Sequence, residues 1–169
     1  MGLFTEAMCM IKAGEEPEST EEKFARDCRF LRLLSRDFPV QRYSITPDGD
    51  DLSGEYILCE VLNIRAIGPG LCFAPEADPA DGWLDLVLVG ESERGRLSDY
   101  VAARRASEEG GLELPVRRAR QVRISEAVGG LRVDDAIERS AGVSAAPLFR
   151  QGGVVVELEP RALEFLVPA

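Results

Sequence analysis

Residues 42–62 read RYSITPDGDDLSGEYILCEVL, and the fold turns on how they pair. The runs Arg42–Thr46 and Glu55–Leu62 are rich in Tyr, Ile, Thr and Val, residue types suited to a pleated, half-buried surface. Between them, Pro47-Asp48-Gly49 offers a fixed φ, a side chain that bonds its own backbone, and a residue free to take positive φ. This predicts an antiparallel hairpin. The turn DGDDLSGE superficially resembles a calcium loop. However, Leu52 and Ser53 occupy the positions of the third acidic ligand and the glycine, so it is a turn and nothing more.

Further strands are expected C-terminal to this hairpin. Residues 63–82 are dense in Gly and Pro and leave little room for helix, and Trp83–Val89 then reads as a strand. Leu97 to about Ser107 reads as a short helix, followed by strand candidates at Ala119–Ser125, Gly130–Asp134, Val154–Leu158 and Ala162–Val167. On the N-terminal side, Phe24, Cys28, Leu31 and Leu34 recur at helical spacing, which predicts a helix from Thr20 to about Ser35. Thr20 with Lys23 makes an incomplete capping box, Glu21 and Glu22 suit the positive end of the dipole, and Pro39 ends the helix. Short strands outnumber the two short helices. The expected class is therefore mainly β (α+β): one domain over residues 1–169, an antiparallel sheet curled or doubled into a sandwich. The apolar start, Leu3, Phe4, Met8, Met10 and Ile11, is expected to cover a groove or to form a surface for another domain or a second copy.

Composition excludes several chemistries. The chain has no histidine, which removes Ser-His-Asp and Cys-His nucleophilic sites and every His-containing zinc site. Its net charge of −10 argues against a broad nucleic-acid surface. From Arg94 to Arg123, however, eight arginines face only Asp99, Glu108, Glu109 and Glu113, a local excess of four positive charges. That stretch reads either as a solvated face or as a patch for phosphate groups or anionic lipid heads. The four cysteines are widely spaced, as reduced thiols in a cytosolic protein would be, and Cys59 and Cys72 sit in apolar runs. With no run long enough to span a bilayer and no basic leader, a cytoplasmic protein is expected, with peripheral membrane contact through the arginine stretch as an option.

A second motif narrows the class. Asn63 closes a strand, Ile67-Gly68-Pro69-Gly70 makes a turn, and Ala74-Pro-Glu-Ala-Asp78-Pro-Ala-Asp81-Gly-Trp83-Leu-Asp85 leads into an apolar strand. Val133-Asp134-Asp135 and Glu159-Pro-Arg-Ala-Leu-Glu-Phe-Leu-Val-Pro168 follow in order. The set resembles the carboxy-terminal domain of the bacterial diacylglycerol kinase and sphingosine-kinase-like lipid kinases, over most of residues 42–168. The resemblance implies the β-sandwich-like second domain of NAD kinase/diacylglycerol kinase-like proteins, which closes over a cleft and contacts the acceptor lipid. It also implies a first domain whose Gly-Gly-Asp-Gly-Thr loop holds ATP. No such loop, Walker loop or kinase Gly-rich loop occurs in this sequence, so ATP is expected only with an N-terminal domain that is absent here.

The resemblance also assigns sites. It implies a structural Mg²⁺ held by the Asp81 side chain and the main-chain oxygens of Asp78 and Trp83. The alternative is that Asp81-Gly82 is simply a turn, with Asp81 bonding backbone two residues on. Asp85 reads as a solvent-face residue of its strand. Asn63 is a candidate to bond a phosphate or, preferably, to fix the loop. Pro69 removes an amide that a phosphate cradle would need. Phosphoryl transfer needs a carboxylate to take the acceptor's proton. The resemblance puts a Glu at the position of Ala136, and alanine cannot do this, which leaves Glu138, Asp134 or Asp135 as substitutes. The expectation is the substrate-side domain of an ATP- and Mg²⁺-dependent kinase for diacylglycerol or a long-chain base, inactive alone. The rival is a freestanding lipid- or protein-binding regulatory module.

Overall fold

The computed structural model describes residues 1–14, 17–105, 114–127, 131–133, 136–138 and 153–159. The expected hairpin forms, but it is shorter than its apolar run. Strand β1 (Gln41–Pro47) pairs antiparallel with β2 (Gly54–Tyr56), with Gln41 opposite Tyr56 and Tyr43 opposite Gly54. At Ile57 the chain leaves that sheet, and β3 (Leu58–Leu62) belongs to another. Ile57 is fully buried at this crossing. Its carbonyl accepts from the Leu3 N–H at 3.0 Å and its N–H donates to the Val89 carbonyl at 2.8 Å, so no backbone group is stranded there.

After β3 come two short strands, β4 (Ala66–Ile67) and β5 (Leu71–Cys72), and then β6 (Leu84–Val89). The expected single strand at Ala119–Ser125 is split at Arg120 into β7 (Val116–Ala119) and β8 (Gln121–Ala127). Short strands β9 (Leu131–Val133) and β10 (Ala136–Glu138) pair with each other, and β11 (Val154–Glu157) follows. One sheet runs β11-β8-β1-β2, the other β3-β6-β7, and every pairing is antiparallel.

The two sheets face each other. Tyr43, Ile45, Val122 and Ile124 of the larger meet Cys59, Leu84, Leu86 and Ala119 of the smaller in one apolar cluster. Three helices cover the opposite face of the smaller sheet: α1 (Leu3–Ala13), α2 (Thr20–Asp37) and α3 (Arg94–Arg105). Their Leu3, Phe4, Ala7, Leu31, Leu97 and Val101 form a second cluster with Leu58, Leu62, Val87 and Val89. Strand β6 thus lies between two apolar layers, which explains why Leu-Asp-Leu-Val-Leu-Val is nearly unbroken rather than alternating. Cys59, at this interior, has its thiol pushed up to about 12 by burial, with Glu60 adding and the main-chain terminus at Met1 opposing. No disulfide joins the four cysteines; Cys28 and Cys59 are buried, and Cys9 and Cys72 half-buried.

The fold class stands, with a correction at the N-terminus: the apolar start is α1, a third helix. Leu3, Phe4, Ala7 and Ile11 are buried, leaving Met10 exposed, so it fills the core rather than forming a docking patch. The cap of α2 is also one residue earlier than expected. The Ser19 hydroxyl accepts from the Glu22 N–H at 3.1 Å, and the Glu22 carboxylate accepts from the Glu18 N–H at 3.1 Å. At the other end of α2, the Arg94 guanidinium donates to the carbonyls of Ser35, Arg36 and Phe38 at 3.0, 3.2 and 2.7 Å, satisfying oxygens a helix end would otherwise leave open. No helix among the described residues is long and apolar enough to cross a membrane.

Candidate functional site

The Asp78–Asp85 stretch builds a closely bonded polar turn ahead of β6. Asp78 Oδ1 accepts from the Ala80 N–H at 2.9 Å, the Asp81 N–H donates to the Asp78 carbonyl at 3.2 Å, and Asp81 Oδ1 accepts from the Trp83 N–H at 2.9 Å. These are two successive aspartate turns, and Gly82 at φ 73° supplies the left-handed residue they require. The local bonding read as one alternative for Asp81 is therefore present. The other oxygen, Asp81 Oδ2, is ion-paired with Arg118 on β7. Leu84 opposite Ala119 and Asp85 opposite Arg118 bring the two strands together. The Trp83 ring carries both Arg118 and Arg120, at 5.3 and 4.4 Å from its centroid.

Asp85 corrects the sequence reading. It is 2% exposed rather than solvent-facing, and its Oδ2 has no hydrogen-bond partner among the described residues. Burial raises its carboxyl pKa, the Arg118 guanidinium opposes this, and the Asp81 carboxylate adds to it. An apolar layer on both sides of β6 is the reason for the burial, and alternation alone could not have shown it.

Among the described residues no three Asp, Glu or Cys side chains converge to cage a metal. Mg²⁺ does not require such a cage, because it takes one or two carboxylates and completes its shell with main-chain oxygens and water. Asp85 Oδ2 is buried without a partner among the described residues and within electrostatic reach of the Asp81 carboxylate, so the turn is compatible with the added positive charge of a hard cation.

The arginine stretch is less positive in three dimensions than in sequence. Arg117 pairs with Asp50 and Arg118 with Asp81, Arg104 lies over the Phe24 ring, and Arg94 is committed to α2. Asp48 reaches the same corner: its two carboxylate oxygens accept the Arg120 N–H at 3.1 and 3.0 Å, and one also accepts the Gln121 N–H at 2.9 Å. The β1–β2 turn thereby latches the break between β7 and β8. Those backbone bonds, that of Arg120 first and that of Gln121 second, hold the Asp48 carboxyl below its usual range. A carboxyl depressed in the folded state stabilises the fold above its unfolded pKa of about 4, and that contribution is lost as pH falls through the folded value. Asp48→Ala is therefore expected to melt lower than wild type at pH 7, with the gap closing below about pH 4; thermal melts across pH measure this.

The remaining candidates do not join that turn. Asn63 is half-buried after β3, and its side chain makes no hydrogen bond among the described residues. Gly68 and Gly70, at φ 55° and 74°, make the tight connection between β4 and β5. A Cβ on Gly68 would stand 3.2 Å from the Phe4 ring, and one on Gly70 2.9 Å from the Arg104 guanidinium, so packing accounts for both. Ala136 and Glu138 lie on β10, opposite Val133 and Leu131. Asp134 and Asp135 lie outside the described residues, as does the strand expected at Ala162–Val167. Sequence reading missed Arg118 as the partner of Asp81, because the pairing depends on β6–β7 register. It also missed Asp48, whose only signal was the Pro-Asp-Gly turn.

The fold defines the class first: a β-sandwich-like domain of two antiparallel sheets with helices on one outer face. Residues 27–167 match the family described as the YegS C-terminal NAD kinase beta sandwich-like domain, and the chain belongs to that family. The resemblance read around Asn63–Val89 is thereby borne out. Among solved structures, a candidate diacylglycerol kinase from Bacillus anthracis str. Sterne is 22% identical with a TM-score of 0.45, over 58% of this chain and 34% of that one. A diacylglycerol kinase from Bacillus anthracis str. Sterne is 18% identical with a TM-score of 0.48, over 82% of this chain and 46% of that one. This chain thus spans less than half the length of either. No curated protein matches it.

Proposed function

We propose that this chain is the acceptor-side domain of an ATP- and Mg²⁺-dependent lipid kinase for diacylglycerol or a long-chain base, and that it transfers no phosphate unless a nucleotide-binding domain is supplied. Membership in the family over residues 27–167 carries the reading, and the sequence has no loop of the kinds that hold ATP phosphates. The Asp81 carboxylate, with the main-chain oxygens of Asp78 and Trp83, is the set that would hold Mg²⁺. A bound ion there supplies positive charge that steadies the two-aspartate turn. The chain's own residues do the rest: Asp78 and Asp81 close the turn, and Trp83 with Arg118 and Arg120 ties it to β7. Proton removal from the acceptor hydroxyl needs a carboxylate, which Ala136 does not offer; Glu138, Asp134 and Asp135 are the residues of this chain that could supply one.

The experiment is a phosphotransfer assay with Mg²⁺-ATP and diacylglycerol or sphingosine in mixed micelles. The chain alone is expected to give no lipid phosphate above the blank, and the chain joined to a Gly-Gly-Asp-Gly-Thr domain of the same family is expected to give it. Transfer by the chain alone would refute the proposal. A joined protein that stays inactive would favour a non-catalytic binding module, the reading that the alanine at position 136 supports.

A further inference from the structure

We propose that Arg118 and a magnesium ion compete for Asp81, so that the turn has two alternative cations, one carried by the chain and one taken from solvent. The inference rests on the reading of the Asp81 turn as a Mg²⁺ site.

Asp81 Oδ1 is engaged by the Trp83 N–H at 2.9 Å, so Oδ2 is the oxygen left to meet a cation, and the Arg118 guanidinium is on it. The guanidinium on Oδ2 stands where a hydrated dication would approach, and the two positive charges repel. The pair is open to solvent, the Asp81 side chain being 27% exposed and that of Arg118 46%, so separating it costs little. What favours the dication is Asp85. Its Oδ2 is buried without a partner among the described residues, although Arg118 stands opposite it in the β6–β7 register. The guanidinium pairs with Asp81 and reaches Asp85 only through its single charge, whereas a dication at this point would act on both carboxylates with twice that charge.

Arg118 has somewhere to go. It already lies 5.3 Å from the Trp83 ring centre, so leaving Asp81 does not strip it of its aromatic contact. The same geometry provides a reporter. Trp83 is the only tryptophan, its backbone N–H is bonded to the contested carboxylate, and its ring carries the displaced arginine.

The test is a Mg²⁺ titration of the full chain at constant ionic strength, read by Trp83 fluorescence and by calorimetry. Wild type is expected to saturate. Arg118→Gln should saturate at an Mg²⁺ concentration about three- to tenfold lower, the scale of an exposed ion pair plus the removed like charge. Arg118→Lys should stay near wild type, and Asp81→Asn should lose the saturable response. Equal midpoints for wild type and Arg118→Gln would overturn the competition while leaving the metal site standing. No saturable response in either, or an unchanged response in Asp81→Asn, would overturn both.

Discussion

Replacing Phe73 by alanine is expected to lower the stability of the fold by about 3–5 kcal/mol, the usual cost of deleting a buried aromatic ring. Phe73 is fully buried, edge-on to Phe4 of α1 with ring centres 5.5 Å apart, and tilted against Tyr100 of α3 at 6.3 Å. It therefore packs against two helices from the loop after β5. Its own backbone is fixed as well, since the Phe73 and Ala74 N–H groups donate to the Arg65 carbonyl at 3.1 and 3.2 Å. The neighbourhood cannot easily collapse into the void, so the cavity term adds to the lost burial. In a domain of this size the midpoint should fall by roughly 10 °C. Leu33→Ala, at a position 54% exposed on α2, should change stability by less than about 0.5 kcal/mol and serves as the control. A Phe73→Ala loss below 1 kcal/mol in urea unfolding would mean the helices are not held to the sheet as described.

That joint was only partly legible beforehand. Strand β6 was readable because six consecutive residues with one polar member leave few alternatives. Helix α2 was readable because Cys28, Leu31 and Leu34 keep its period to the end. The switch of sheets at Ile57 was not, because Glu55–Leu62 is one unbroken β-type run and nothing in its composition marks where the hydrogen-bond partner changes. Helix α1 is short, and its apolar residues also suit an exposed patch; Leu3 and Phe4 become core only because β3 and the loop through Phe73 offer them a surface.

The candidate site divides along similar lines. The Asp78–Asp85 turn could be found from residue types alone, since closely spaced aspartates, a glycine and a following apolar strand define a local structure. The state of its carboxylates could not. Asp81 and Asp85 are four residues apart, yet one is paired at the surface and the other buried without a partner, and strand register and layering set that difference. The arginine stretch shows the same dependence on distant residues. Counting charges along the chain left a solvated face and a positive patch both open, and Asp48, Asp50 and Asp81 come to it from elsewhere in the sequence.

The second large effect expected is an absence. In the Asp78–Asp85 turn, the β4–β5 connection and the β7–β8 break, several backbone amides that a phosphate could meet are already engaged. The Trp83 and Ala80 N–H groups go to aspartates, the Gly70 N–H to the Gly68 carbonyl at 2.8 Å, and the Arg120 and Gln121 N–H groups to Asp48. A triphosphate entering any of these turns would have to displace a carboxylate or a carbonyl and then face the net negative charge of the molecule.

Calorimetric titration of ATP with Mg²⁺ into the purified chain addresses this point without requiring turnover. Under the proposed function the chain should give no saturable heat up to millimolar nucleotide, and should acquire it only when a Gly-Gly-Asp-Gly-Thr domain is joined on. A micromolar dissociation constant for the chain by itself would show a complete nucleotide site within these 169 residues and contradict the assignment.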